Sequence, residues 1–227
     1  MTKVFAHRGS AHRDPENTIA AFLEARRLGA DGVELDVRRS ADGALVVHHD
    51  AAIEGIGVIA DRAVSDLPEE IALHSEVLIA CGGVEINVEI KNDPNEPGHD
   101  GSGALVDQVL SVVEESGQKD SVIISSFDLP TLEAVRSADS IIAIGWLVDP
   151  RVPPLDLLED LVTHGFTAIH PYFAFTDEAL VRAAHEAGIS VNVWTANLEP
   201  DIERLVSLGV DAVITDDVTV ARLVVDR

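Results

Sequence analysis

The sequence repeats one pattern along almost its whole length: a short aliphatic run, then a stretch whose apolar residues have helical spacing. Segments such as "ENTIAAFLEARRLG" and "LEPDIERLVSLG" follow the runs and have the helical pattern. The eight runs are "KVFA", "DGVELDV", "VEINVEI", "SVIIS", "IIAIGWLV", "TAIH", "SVNVWT" and "DAVIT". Strands that alternate with helices form parallel sheets covered by helices. Eight such units in 227 residues favour a closed α/β structure, a TIM (β/α)₈ barrel, over an open sheet. We therefore predict one domain over residues 1–227.

One segment after the second run departs from this rhythm. "RRSADGALVVHHDAAI" predicts a turn at Asp42 and Gly43, then an additional strand, "ALVVHH". A loop and the helix-like "SDLPEEIALHSEVLIAC" follow. After the third run, "KNDPNEPGHDGSG" is dense in Pro, Gly, Asn and Asp, which predicts an exposed loop. Because TIM barrels carry their chemistry on the loops after the strands, these segments are where we expect a site.

The charge balance limits the possible partners. The chain has 40 Asp and Glu against 16 Lys and Arg, a formal charge of -24, which argues against binding nucleic acid or an anionic membrane. Cys81, the lone cysteine, cannot form an intramolecular disulfide, and we predict a small core residue. The N-terminus lacks the apolar stretch of a signal peptide, and the longest apolar runs are too short to cross a bilayer. We predict a cytoplasmic protein without stable membrane association.

Three carboxylates stand near the ends of two strands. Glu34 and Asp36 are two residues apart and share one face of the second strand, and Glu89 and Lys91 have the same spacing on the third. If these strands are neighbours, Glu34, Asp36 and Glu89 converge. Hard oxygen ligands of this kind suit Mg²⁺ or Ca²⁺, and zinc is less favoured without a His or Cys ligand set. The alternative for each carboxylate is a solvent-facing residue paired with Arg or Lys.

Histidines and cations follow the same strands. His7 comes directly after the first strand, and His48 and His49 end the additional strand, where alternation lets at most one of them enter a site. The spacing does not choose between them. Two imidazoles beside a phosphoryl centre can act as general acid and general base. Arg8 and Lys91 are suited to neutralise an anionic substrate.

The remaining candidates are weaker. The sequence contains no GxSxG, Walker A or strand-following GxGxxG pattern. "TAIHPYF" and "VNVWTAN" place aromatic and polar residues near later strand ends, where an aromatic wall or, for Phe173, core packing is expected. These residues are His170, Tyr172, Phe173, Trp194 and Asn197. We predict hydrogen-bonded polar residues without a catalytic role for the other histidines, namely His12, His74, His99, His164 and His185.

Several motifs occur together in one order: "AHRG" with "PENT", "GVELDV", "VVHHD", "VEIK", "ISSF", "VWTAN" and "VDAVITDD". In this order they resemble the glycerophosphodiester phosphodiesterase family from end to end. The resemblance implies a TIM barrel that hydrolyses glycerophosphodiesters to sn-glycerol 3-phosphate and an alcohol with a divalent cation, Mg²⁺ or Ca²⁺. The partner it implies is a small molecule, and no oligomeric state is predicted.

The resemblance also implies a role for each site residue. His49 rather than His48 matches the family pattern, in which the histidine is followed by aspartate, here Asp50. Glu16 and Asn17 are expected to brace the first loop, with Asn17 also capping a helix. The full set comprises His7 and His49 for acid/base catalysis, Glu34, Asp36 and Glu89 for the metal, Arg8 and Lys91 for the phosphate, and Phe127 and Trp194 for the apolar side of the glycerol pocket. Gly9 is expected to leave room for the substrate.

The chain departs from the family after the His-Asp motif. Family members carry a longer insertion there, whereas "AAIEGIGVIADRAVSDL" is short and different. A reduced insertion predicts an open pocket that tolerates varied head groups.

Two alternatives accompany this interpretation. One is a phospholipase D-like reaction on lysophospholipids, which the absence of an apolar anchoring segment disfavours. The other is a catalytically silent barrel that binds glycerophosphodiesters, which the retention of both histidines and all three carboxylates disfavours.

Overall fold

The computed structural model describes residues 1–10 and 15–227. The strands there are β1 (Lys3–Ala6), β2 (Gly32–Arg39), β3 (Leu45–Val47), β4 (Ala52–Ile53), β5 (Gly57–Val58), β6 (Glu85–Ile90), β7 (Val122–Ser126), β8 (Ala143–Leu147), β9 (Ala168–His170), β10 (Ser190–Val193) and β11 (Ala212–Thr215). The α-helices are α1 (Ile19–Arg27), α2 (His74–Ala80), α3 (Ala104–Ser116), α4 (Leu129–Ala138), α5 (Leu158–His164), α6 (Glu178–Glu186), α7 (Glu199–Leu208) and α8 (Val218–Val225).

Eight of the strands in the described chain close into a barrel. β1 pairs in parallel with both β2 and β11, and the other neighbours follow in the order β2, β6, β7, β8, β9, β10, β11. Each of these pairings is parallel, and a helix follows each strand before the next barrel strand begins. The predicted TIM barrel is confirmed, with the eight strands where the aliphatic runs lie.

Alternation along the strands separates two environments. On β2, Val33, Leu35 and Val37 are fully buried in the main hydrophobic cluster between the sheet and the helices. Successive side chains of a strand point to opposite faces, so Glu34 and Asp36 face the inside of the barrel. The inner face of β2 therefore carries charge, while its outer face is apolar.

The excursion after β2 is less regular than the sequence predicts. The additional strand is short, because β3 ends at Val47 and leaves His48 and His49 beyond it, and β4 and β5 form a small antiparallel hairpin. In the helix-like segment only His74–Ala80 is helical, after 3₁₀ turns at Ile59–Asp61 and Val64–Asp66. Pro68 disfavours helical geometry at Leu67, whose backbone is extended. The helix begins after Leu73, where the Leu73 amide donates to Glu76 Oε2 at 3.0 Å. Residues 91–103 contain no helix or strand, as predicted for this described segment.

The N-cap of the first helix lies one residue later than the sequence predicts. Thr18, not Asn17, is the N-cap of α1: its backbone is extended and its hydroxyl accepts a hydrogen bond from the Ala21 amide at 3.2 Å. Asn17 has a left-handed backbone, with φ of 59°, and its side-chain amide donates to Asp36 Oδ2 at 2.9 Å. The prediction of a cap at Asn17 is therefore wrong, because an N-cap needs extended backbone.

Gly9 serves packing of the loop rather than the substrate. Its φ is +81°, and a Cβ placed there would lie 2.8 Å from the Cβ of Ala21 in α1. The prediction that Gly9 makes room for the substrate is therefore corrected: the missing side chain lets the first loop approach the first helix.

Two predictions drawn from composition can be compared with the structure. Cys81 is fully buried in the main hydrophobic cluster, as expected, and burial raises the pKa of its thiol to about 12. Among the described residues, no helix combines the length and apolar character needed to cross a membrane.

Candidate active site

Two neighbouring strands bring three carboxylates together. β2 pairs with β6 so that Asp36 lies opposite Glu89. Glu34 lies two residues before Asp36 on the same face of β2. One oxygen from each of the three groups lies within 4.8 Å of the others, and all three residues are buried. The convergence expected from the sequence is present, and the donor set of hard oxygens fits a divalent cation.

Charge repulsion inside this cluster affects its protonation. Burial and then the Asp36 carboxylate raise the pKa of Glu34 to about 8. Burial likewise raises the pKa of Glu89, against the opposing effect of Lys91. For Asp36 burial works in the same direction, but Lys91 and Arg8 outweigh it and lower its pKa. Carboxylates that share a buried site disfavour each other's ionisation, and a bound cation removes that cost.

The two cations border the carboxylates. Lys91 Nζ lies 2.8 Å from Glu89 Oε1 and 3.6 Å from Asp36 Oδ1. Arg8 Nε lies 3.3 Å from Asp36 Oδ2, and its backbone amide donates to Glu34 Oε2 at 3.0 Å. The Arg8 backbone has a φ of 53°, a left-handed conformation that is strained for a side chain of this size. The first loop therefore holds a guanidinium against the cluster.

Part of that loop is braced as the sequence predicts. Glu16 Oε1 accepts a hydrogen bond from Arg8 Nη1 at 3.0 Å, and the Asn17 backbone amide donates to the Arg8 carbonyl at 2.8 Å. Together with the contact of Asn17 to Asp36, these bonds connect the loop to the carboxylate cluster.

His7 is placed between two acidic residues. Its Nδ1 lies 2.6 Å from Asp216 Oδ1, and its Nε2 lies 3.9 Å from Glu34 Oε2. Burial would lower the pKa of His7, but the hydrogen bond with Asp216 and the charge of Glu34 outweigh it, so the pKa is raised. Asp216 therefore fixes the ring through Nδ1 and leaves Nε2 directed at the cluster.

His49, not His48, lines the same pocket. Its Nδ1 lies 2.7 Å from Asp50 Oδ1, whereas His48 Nδ1 lies 3.0 Å from the Asp50 carbonyl oxygen. Burial and the nearby Lys91 charge lower the pKa of His49. The structure thus resolves a choice that strand alternation left open.

A small pocket of about 130 Å³ joins these groups. Its lining includes both histidines, both cations, Glu34 and Glu89, together with Phe127 and Trp194. The two aromatic rings pack edge to face with centroids 5.5 Å apart, and the Trp194 indole donates to the His170 carbonyl at 2.7 Å. All nine residues expected in the site therefore surround one pocket or the carboxylates beside it.

Two residues of this site escaped sequence reasoning. Asp216 was visible only as part of the motif "VDAVITDD", although its position just after the last strand is a signal for a TIM-barrel site residue. Asn87 lies in "INVEIK", two residues before Glu89, and the same alternation that selected Glu89 places it on the inner face.

We expect Asp216→Asn to lower kcat by about 10-fold, because the substituted amide no longer favours the protonated Nδ1 of His7. Asn197 donates to Asp216 Oδ2 at 2.6 Å, so the carboxylate is held in place. Steady-state kinetics on glycerophosphocholine measure the effect, and an unchanged kcat would show that the contact with His7 is not used in turnover.

The other histidines differ in their surroundings. His164 Nδ1 lies 3.4 Å from Glu133 Oε1, and His185 Nε2 lies 2.9 Å from Asp211 Oδ2, so both have the polar partners that the sequence analysis predicts. His74 is fully buried and neither ring nitrogen has a hydrogen-bond partner among the described residues, so the prediction for it is wrong. Burial lowers its pKa to about 4, so the ring packs as a neutral group. His12 lies outside the described residues.

Comparisons with known proteins agree with the motif pattern. The model of the glycerophosphoryl diester phosphodiesterase family matches residues 7–70 and 59–220. A protein of Caldanaerobacter subterraneus subsp. tengcongensis named glycerophosphodiester phosphodiesterase is 32% identical over 95% of this chain and 94% of its own length.

Solved structures are similar over the whole barrel. The glycerophosphodiester phosphodiesterase of Thermotoga maritima is 30% identical, with a TM-score of 0.83 over 100% of this chain and 99% of the other. A phosphodiesterase of Oleispira antarctica, solved in complex with its product sn-glycerol-3-phosphate, is 25% identical, with a TM-score of 0.90 over 100% and 98%. Taken with the family match over most of its residues, these similarities show that the chain belongs to the glycerophosphoryl diester phosphodiesterase family.

Proposed function

We propose that the chain hydrolyses glycerophosphodiesters to sn-glycerol 3-phosphate and an alcohol, with a divalent cation and two histidines. The observation that carries this proposal is the meeting of three buried carboxylates, two cationic side chains and two histidines around one pocket of about 130 Å³. Such a set can bind a phosphodiester and move protons at both of its ester oxygens. Family membership and the product bound to the Oleispira antarctica relative support the choice of substrate.

Glu34, Asp36 and Glu89 would hold the cation, Mg²⁺ or Ca²⁺. When bound, the cation polarises a phosphoryl oxygen and neutralises charge that develops there. Arg8 and Lys91 supply further positive charge to the nonbridging oxygens, Arg8 as a planar fork and Lys91 as a point charge. Because the rest of the chain is strongly acidic, this local positive charge is what attracts an anionic substrate.

His7 and His49 carry the protons. One of them removes the proton from the attacking oxygen, which belongs to water or to the glycerol 2-hydroxyl, as the new P–O bond forms. The other protonates the departing alkoxide as the old P–O bond breaks. Attack by the glycerol hydroxyl gives a cyclic phosphate, which water then opens. The hydrogen bonds of both Nδ1 atoms to carboxylates, Asp216 and Asp50, leave both Nε2 atoms available for these transfers.

One assay tests the proposal against its alternatives. Purified protein is incubated with glycerophosphocholine and Mg²⁺ or Ca²⁺, and sn-glycerol 3-phosphate is measured with time, with lysophosphatidylcholine as a second substrate. Release from glycerophosphocholine supports the proposal. Binding without turnover would favour a silent binding protein, and turnover of the lysophospholipid alone would favour a phospholipase D-like enzyme.

The alcohol side of the substrate faces a larger space. A cavity of about 410 Å³ shares His49, Glu89, Lys91 and Phe127 with the catalytic pocket. We expect kcat/KM for diesters of choline, ethanolamine and glycerol to agree within about 10-fold, because a wide cavity makes few contacts that separate them. A panel of these diesters measures the ratio, and a steep preference for one head group would contradict an open pocket.

A further inference from the structure

An amide in the lining of the catalytic pocket has no hydrogen-bond partner in the part of the chain that the structure describes. Asn87 is 1% exposed and lines the pocket. Among the described residues, neither its Nδ2 nor its Oδ1 has a hydrogen-bond partner. Buried side-chain amides are almost always hydrogen-bonded, so one that is free at both ends beside a cavity indicates a ligand group.

The position of this amide is fixed by the sheet. Asn87 lies in the middle of β6, opposite Glu34 on β2 and Ile123 on β7. Its chain neighbours Ile86 and Val88 are fully buried on the outer face. The side chain therefore cannot turn to solvent, and the unsatisfied amide stays inside the barrel.

The polar character of this interior extends to neighbouring strands. Ser125 and His170 are fully buried, and Ser125 Oγ and His170 Nδ1 have no partner in the described chain. A Cβ on Gly145 would lie 2.2 Å from His170 Nε2, so this glycine makes room for the ring. TIM-barrel interiors are usually filled by branched aliphatic side chains. Here the strands next to β6 instead carry buried polar atoms, and Ser125 lies opposite Glu89 in the strand register.

The depth of Asn87 indicates which part of a substrate it meets. Lys91 Nζ contacts Glu89 at 2.8 Å, so a phosphate bound to Lys91 lies near the level of Glu89. Asn87 is two residues, about 7 Å, deeper along the strand. The pocket walls near it include the apolar Leu147 and Ile214. The amide is therefore the polar group available to a substrate hydroxyl that points down the barrel axis from the phosphate.

We propose that Asn87 selects the glycerol half of the substrate by hydrogen-bonding a glycerol hydroxyl, through Nδ2 as donor or Oδ1 as acceptor. This inference rests on the proposed function, because it assumes a glycerophosphodiester in the same pocket. A site with a buried polar group strongly rejects ligands that cannot pair with it. Asn87 thereby makes the enzyme specific for glycerol diesters among phosphodiesters.

The test compares Asn87→Leu, which keeps a similar size, on two substrates with saturating Mg²⁺. For glycerophosphocholine we expect kcat/KM to fall about 10²-fold or more, the scale for losing a hydrogen bond to a substrate hydroxyl. For bis(p-nitrophenyl) phosphate, which has no glycerol, we expect little change in kcat/KM.

Titrations of the Asn87→Leu variant should show weaker binding of sn-glycerol 3-phosphate and unchanged binding of Mg²⁺. His74→Leu is the matched control and should retain both activities, because it also removes a fully buried side chain that has no hydrogen-bond partner among the described residues, but on α2 and away from the pocket lining.

Three outcomes would overturn the inference: equal losses on both diesters, no loss on glycerophosphocholine, or weakened Mg²⁺ binding that accounts for the loss. Should Asn87→Leu not fold, Asn87→Ala is measured in the same titrations, since it also removes both amide atoms. Wild-type protein that releases no sn-glycerol 3-phosphate would instead refute the proposed function. The two failures are therefore distinguishable.

Discussion

Alanine at His7 or at His49 is expected to lower kcat by roughly 10²-fold or more, the usual scale for losing a general acid or base. Each ring lines the pocket and is fixed through Nδ1 by a carboxylate, Asp216 for His7 and Asp50 for His49. The proposed mechanism assigns each histidine to a different oxygen of the diester, so neither is expected to replace the other. Steady-state kinetics of both single variants on glycerophosphocholine measure the effect.

The control is His185→Ala, which removes a surface imidazole 2.9 Å from Asp211 and is expected to keep wild-type turnover. Circular dichroism and thermal unfolding of each variant show whether the protein is folded. Near-full activity in a folded His7→Ala or His49→Ala variant would refute the two-histidine mechanism, whatever the effect of the other substitution.

Removal of the divalent cation is expected to abolish activity, and added Mg²⁺ or Ca²⁺ should restore it. Glu34, Asp36 and Glu89 are buried with oxygens within 4.8 Å of one another, so they have a strong electrostatic reason to bind a cation. Dialysis against a chelator, followed by titration with each ion, measures the loss and the recovery. Full activity in protein shown to be metal-free would remove the cation from the mechanism.

The same cluster gives a readout that does not depend on turnover. Burial and Asp36 raise the pKa of Glu34 to about 8, so near neutral pH this carboxyl holds a proton more readily than an ordinary glutamate does before a cation binds. A ligating carboxylate must be ionised, so binding of the ion should release protons. Calorimetry in buffers of different ionisation enthalpy detects this release, and Glu34→Gln should abolish most of it. Proton release that is unchanged in Glu34→Gln would assign it to another group.

Local patterns in the sequence were sufficient for the barrel and for its carboxylates. The alternation of short aliphatic runs with helical stretches depends on neighbours in the chain, and it located the eight barrel strands. Two-residue spacing placed Glu34 and Asp36 on one face, and the pairing of consecutive parallel strands then brought Glu89 beside them. These inferences succeed because strand alternation and neighbour pairing are properties of the backbone.

Local propensity was a poorer guide in the loops. Asn17 has the residue type of a helix cap, but its bond to Asp36, 19 residues away, holds it in a left-handed conformation, and Thr18 caps the helix. His48 and His49 were expected on a strand, yet the strand ends at Val47 and alternation no longer decides their directions. In both cases hydrogen bonds to β2, from Asn17 to Asp36 and from Arg38 to the His49 carbonyl, accompany a backbone conformation that differs from the one expected for the residue type or the strand pattern.

The sequence by itself determined the fold class, the inward carboxylates and, through its motifs, the family. Only the tertiary structure decided that Asp216, 209 residues from His7, fixes that imidazole, and that Gly9 packs against α1. The structure alone also showed that Asn87 lines the pocket and has no hydrogen-bond partner within residues 1–10 and 15–227. The physical reason is that closing the barrel joins β1 to β11, so the geometry of the site depends on contacts between the two ends of the chain. A local sequence pattern does not specify how close residues after β1 come to residues after β11.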